Sequence, residues 1–108
     1  MRPYQIFRSC IHWNGCPDPR PWLIYEIRPN NVFACFPISS HCYGANGSEV
    51  LVSEPEFHLT GLTKNCFILY EKTFELTAAQ LLNEHGKHQL KGEITGTILA
   101  RFREAAGV

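Results

Sequence analysis

The chain has no excess of charge of either sign: ten Lys plus Arg stand against ten Asp plus Glu over 108 residues. A global basic field that would draw it to polyanions is therefore absent, and any contact with nucleic acid has to come from a local patch. No apolar run approaches the ~20 residues needed to span a membrane as a helix, so no membrane association is expected. Arg2, Gln5 and Arg8 interrupt the first apolar residues, and the N-terminus reads as one without a signal peptide. There is no internal repeat and no low-complexity tract. Cysteine is odd in number, at positions 10, 16, 35, 42 and 66. That excludes a fully paired disulfide framework and fits free thiols in a reducing cytoplasm. Cys10, His12 and Cys16, even with His41 and Cys42 added, lack the paired Cys-x-x-Cys knuckle of recognisable zinc sites. Neither a metal nor a cofactor is expected.

What is present is an ordinary apolar balance, 44% hydrophobic with seven Phe, four Tyr and two Trp. That is enough for one domain spanning 1–108, with a single modest core that a homodimer would help. Residues 4 to 12 read as a strand, and the Pro- and Gly-rich stretch 13 to 21 breaks it. Trp22–Ile27 and Val32–Ile38 are aromatic and β-branched runs either side of Arg28-Pro-Asn-Asn31, which predicts a hairpin. The second run is apolar at nearly every position, which implies burial on both faces. After a polar loop, Glu49–Ser53 reads as a short strand that ends before Pro55. Cys66–Phe74 reads as one longer strand, and Thr77 as the cap of a short turn. Gly86 marks a further turn. Ile94, Ile98 and Phe102 recur every four residues, predicting an amphipathic helix over 91–105 with Gly107 at its C-cap. The fold expected is mainly β, α+β by element count: a small barrel of about five strands with a C-terminal helix covering an open edge.

Two segments carry candidate chemistry. Arg20, flanked by Pro19 and Pro21, enters the first hairpin strand, and a guanidinium is a permanent bidentate phosphate ligand. Ser39 and Ser40 leave the second strand. The start of one hairpin strand lies beside the end of its partner, so Arg20 and Ser39 are expected to be neighbours. His12 and His41 are the candidate proton carriers, histidine being the residue type suited to proton transfer at neutral pH. Trp13 and Trp22 are candidates for stacking on splayed bases, although Trp22 also opens a core strand, where packing is the competing role. Each of these residues also has an ordinary reading: a solvated loop Arg, a turn-capping Ser, surface His.

The run Arg20-Pro-Trp-Leu-Ile-Tyr, then Phe36-Pro-Ile-Ser-Ser40, then Val50-Leu-Val, Gly61-Leu-Thr-Lys-Asn-Cys-Phe-Ile-Leu and the closing helix resembles the MazF/PemK toxin family over roughly residues 20 to 106. The resemblance implies an SH3-like barrel, a homodimer, and metal-independent cleavage of single-stranded RNA such as mRNA to a 2′,3′-cyclic phosphate, restrained by an antitoxin protein. It implies catalytic roles for Arg20 and Ser39 and a substrate contact at Ser40. Where some members carry an Arg and an acid two residues apart in a late strand, this chain has Leu69 and Glu71, which makes Glu71 a further candidate. Two other readings share the fold: a gyrase-poisoning toxin like CcdB, and an inactive module that only binds a partner.

Overall fold

The computed structural model describes residues 1–9, 20–42, 44–81 and 90–108. In chain order these form strands β1 (Gln5–Ser9), β2 (Arg20–Arg28), β3 (Val32–Ser39), β4 (Ser48–Val50), β5 (Cys66–Ile68), β6 (Phe74–Thr77) and β7 (Leu90–Glu93), then helix α1 (Gly96–Ala106). Every pairing is antiparallel, in the order β4-β5-β3-β2-β1-β7, with β6 also against β3. The result is a curled half-barrel sheet with one C-terminal helix, as the strand and turn chemistry predicts.

The hairpin turn is made where expected. Asn30 and Asn31 take left-handed φ values of 63° and 58°, a conformation Asn tolerates better than most residues. The register then slips by one between Ile24 and Glu26, so that Glu26 faces Ala34 but Ile24 faces Cys35. Tyr25 is the extra residue of this bulge. Its ring lies on Phe36, with centroids 5.0 Å apart.

The sheet is buried on both faces, which explains the unbroken apolar character of β3. Ile6, Leu23 and Phe36 form a cross-strand row that packs with Ile98 and Phe102 of α1. The alternate residues Phe7, Trp22, Ile24 and Cys35 pack on the other side with Leu69, Leu76 and Leu81. Each large side chain so removed from water contributes about 1.5–3 kcal/mol.

Several expected boundaries differ. The Cys66–Phe74 run is two strands, because the two ends of β3 face different partners: β6 pairs Val32–Cys35 and β5 pairs Ile38–Ser39. Tyr70 to Thr73 makes the change of direction. The fourth strand is Ser48–Val50, not Glu49–Ser53. Beyond it the Leu51 amide donates to the Glu54 carboxylate (2.9 Å) and the Val52 amide to Asn65 Oδ1 (2.8 Å). The first strand is described from Gln5 to Ser9; residues 10 to 12 and Gly86 lie outside the described residues. Thr77 does cap its turn, in a reciprocal box with Gln80: each backbone amide donates to the other's side chain, at 2.8 and 3.3 Å.

The helix starts at Gly96 rather than 91. Leu90–Glu93 is instead strand β7, paired with β1. Gly92 cannot be a helical surface position here, since a Cβ on it would lie 2.0 Å from the Leu59 carbonyl oxygen. Thr95 makes no side-chain cap; Glu56 supplies it from a distant loop, its carboxylate accepting from the Thr97 amide at 3.1 Å and from the Thr97 hydroxyl. That amide hydrogen bond is the main cause holding the Glu56 carboxyl below its usual 4.5. A depressed carboxyl contributes stability above its unfolded pKa and loses it as pH falls through the folded value. Glu56→Gln is therefore expected to lower the melting temperature at neutral pH, with the difference from wild type shrinking as pH drops below 4.5. Gly107 takes φ 76° and closes the helix by donating to the Arg103 and Glu104 carbonyls.

Cys35 shows the opposite sign. Burial pushes its thiol from 9.0 up to about 12. Between those values only the unfolded chain gives up the proton, so stability falls as pH rises. Thermal melts through the alkaline range should fall more steeply for wild type than for Cys35→Ala. Parallel slopes would contradict this role of the thiol.

Candidate active site

The hairpin bulge decides which residues meet. Beyond it, Ile24 faces Cys35, Leu23 faces Phe36 and Trp22 faces Pro37. Two further steps set Arg20 opposite Ser39. Without the slip at Tyr25, Arg20 would face Ser40. The contact is observed: Arg20 Nη1 donates to Ser39 Oγ at 3.4 Å, at the long end for a hydrogen bond. Ser39 is buried, and its oxygen also accepts from the His41 amide at 3.2 Å. With its lone pairs turned to these two donors, the hydroxyl has its proton left to give. An arginine fork and a serine O–H thus converge on one spot, an arrangement suited to phosphate oxygens.

This pair lies in the wall of a cavity of about 360 Å³. Six segments build it, β5 among them through Cys66. β1 brings Arg8, β2 brings Arg20 and Pro21, and the end of β3 brings Ile38, Ser39 and Ser40. The loop after the helical turn Phe57–Thr60 brings Thr63 and Lys64, and β7 brings Lys91. Four of the chain's ten Lys and Arg therefore line one cavity, and no carboxylate does among the described residues. Ion pairs between described residues are made at Arg2–Glu93, Arg28–Glu75 and Arg101–Glu54. A neutral chain has thereby concentrated positive charge where its Arg–Ser pair sits.

Glycines hold part of the cavity's lining in place. Gly61 has φ +71°, and a Cβ on it would lie 2.1 Å from the Lys91 carbonyl oxygen, while a Cβ on Gly92 would lie 2.0 Å from the Leu59 carbonyl oxygen. Backbone lies directly on backbone at this crossing, which brings the 61–64 loop and Lys91 together in the lining.

Of the residues singled out from sequence, Arg20, Ser39 and Ser40 line the cavity. His41 meets Ser39 through its backbone amide; it is exposed and is not among the lining residues. Glu71 is exposed and not in the lining, and its carboxylate accepts from the Asn46 amide at 2.5 Å, tying two loops together. Trp22 is completely buried and packs edge-on against Phe74 at 5.2 Å, so its indole belongs to the core and is not a platform for bases. His12 and Trp13 lie outside the described residues. Arg8, Lys64 and Lys91 are cavity residues that sequence reasoning misses. Lys64 falls within the Gly61-Leu62 motif, but Lys91 stands in a stretch whose rhythm reads as helix, and no local signal links β1 to β7.

No family model matches the chain, and no curated protein does. Among solved structures, the chain is similar to an endoribonuclease in complex with its cognate antitoxin, from Mycobacterial species. The TM-score is 0.58 and the identity 16%, over 94% of this chain and 84% of the other. At that identity the likeness is one of fold: this chain and that endoribonuclease share the same curled sheet and closing helix.

Proposed function

We propose that the protein is a toxin-type endoribonuclease that cleaves single-stranded RNA without a metal and is held in check by an antitoxin protein. The observation that carries the reading is the Arg20–Ser39 contact in the wall of a cation-lined cavity. The shared fold with an antitoxin-bound endoribonuclease and the MazF/PemK-like motifs support it.

In the proposed reaction the RNA 2′-hydroxyl attacks the adjacent phosphorus. The O2′–P bond forms, the P–O5′ bond breaks, and the products are a 2′,3′-cyclic phosphate and a 5′-hydroxyl. The 2′-hydroxyl loses a proton and O5′ gains one. Arg20 would hold the two equatorial oxygens as negative charge grows, and the Ser39 hydroxyl would donate to one of them. His12 is the proposed proton carrier. In sequence it lies among the ten residues between Ser9 and Arg20, which pair across β1 and β2, and Arg20 lines the cavity. The protein is proposed to act in the cytoplasm as a homodimer.

The test is incubation of purified protein with mixed RNA in EDTA, beside Arg20→Ala. Cleavage by wild type and not by the variant supports the reading. No cleavage of any RNA by either overturns it in favour of a binding function on the same fold.

A further inference from the structure

The cavity is lined by further cations besides the Arg20–Ser39 pair. Lys64 and Lys91 come from segments 27 residues apart, yet both line the cavity. They are brought there by the Gly61–Lys91 and Gly92–Leu59 backbone contacts, at which no other residue type fits. Arg8 lines the same cavity from the paired β1 strand. Lys64 and Lys91 repel one another, and with no carboxylate in the described lining the pair is matched by an anionic group of its own. A single phosphate at Arg20 and Ser39 would leave the two lysines to a second anion.

We infer that Lys64 and Lys91 form a separate subsite for a neighbouring backbone phosphate of the same strand, so that the cavity grips two or more consecutive phosphodiesters. The inference rests on the nucleic-acid reading of the cavity, though not on its cutting anything. Lysine suits such a subsite because it meets phosphate as a point charge without demanding a base, which gives grip and direction to the strand rather than sequence choice.

The probe is an end-labelled 2′-O-methyl RNA of mixed sequence, which lacks the attacking hydroxyl and survives whether or not the protein cuts. Binding is measured by fluorescence anisotropy over a series of salt concentrations. Each phosphate contact on a single strand contributes about 0.7 to the slope of log affinity against log salt. Lys64→Gln and Lys91→Gln should each reduce the slope by about 0.7, the double variant by about 1.4, and each single change should weaken binding about fivefold near 0.1 M salt. Arg103→Gln removes the same charge from an exposed helix position outside the cavity and should leave the slope unchanged. Circular dichroism melts of each variant confirm folding, and Lys64→Arg should restore the slope.

Equal slopes for wild type and both lysine variants would overturn the subsite, as would absence of binding by wild type, or loss of an acidic peptide's binding with RNA binding intact. An equal fall for Arg103→Gln would reduce the effect to net charge and also overturn it. Failure here leaves the EDTA cleavage result standing. A protein that cuts nothing but shows these slopes keeps the subsite and loses the nuclease.

Discussion

Arg20→Ala is expected to lower RNA cleavage by about 10²–10³-fold, with folding intact. That is the cost of removing one positioned donor to a developing oxyanion. Arg20→Lys should recover little, because an ammonium cannot make the planar two-pronged contact. The reason for expecting an intact fold is local. Arg20 is the first residue of β2 and only half-buried, and the hairpin register is already set by the pairs from Trp22 to Arg28. Ser39→Ala should cost less than Arg20→Ala, since it removes one neutral hydrogen bond to the phosphate. A loss at Arg20 accompanied by a lower melting temperature would instead mark it as structural.

The largest loss of stability is expected at the glycine crossing. Gly61→Ala places an L-residue at φ +71°, which costs about 1–2 kcal/mol by itself, and it drives a methyl into the Lys91 carbonyl. Gly92→Ala drives one into Leu59. In both cases the obstacle is backbone, so no side-chain rotation relieves it. A total of about 3 kcal/mol is expected for each, a fall in melting temperature of about 12 °C. By contrast Gly44→Ala, where φ is also positive but nothing lies within 4 Å, should lose only the conformational part. Thermal melts of the three variants separate strain from collision. Equal losses at positions 44, 61 and 92 would contradict the backbone-on-backbone crossing. A partial collapse of the crossing would also move Lys64 and Lys91, so any surviving Gly61 variant should bind RNA with the reduced salt slope of the lysine variants.

These two expectations divide along what is legible in the sequence. The Arg20–Ser39 pair can be read in advance because it is a short-range feature. Both residues belong to one hairpin, whose turn is announced by Pro29, Asn30 and Asn31 and whose strands are announced by their apolar runs. The bulge at Tyr25 is not legible, although it alone decides whether Ser39 or Ser40 faces the guanidinium. The glycine crossing and the lysine pair are hidden for a different reason. β7 pairs with β1 across nearly the whole chain, and such a contact leaves no periodic trace. Gly92 and Gly96 fall inside a four-residue apolar rhythm that reads as helix, while their actual role is to admit another backbone and the Glu56 carboxylate. Cys66–Phe74 looks continuous because its apolar start, Cys66 to Tyr70, runs on to Phe74 with no Gly or Pro to break it. Only the opposite demands of the two ends of β3 split it. His41 and Glu71 show the remaining limit: residue type suggests proton transfer, but both are exposed and neither is among the residues lining the cavity.

The net charge of zero, which excludes a global field for polyanions, is reconciled with nucleic-acid chemistry by location. Four of the ten Lys and Arg line the cavity that holds Ser39. The central claim is therefore that a phosphate is handled at Arg20 and Ser39 and attacked by the RNA's own 2′-hydroxyl. The most direct measurement is the chemistry of the new ends when mixed RNA is incubated with the protein in EDTA. Fragments ending in 2′,3′-cyclic phosphate and beginning with 5′-hydroxyl are expected, absent when Arg20 is Ala. Fragments with 3′-hydroxyl and 5′-phosphate ends, or equal cleavage by the Arg20 variant, would contradict it.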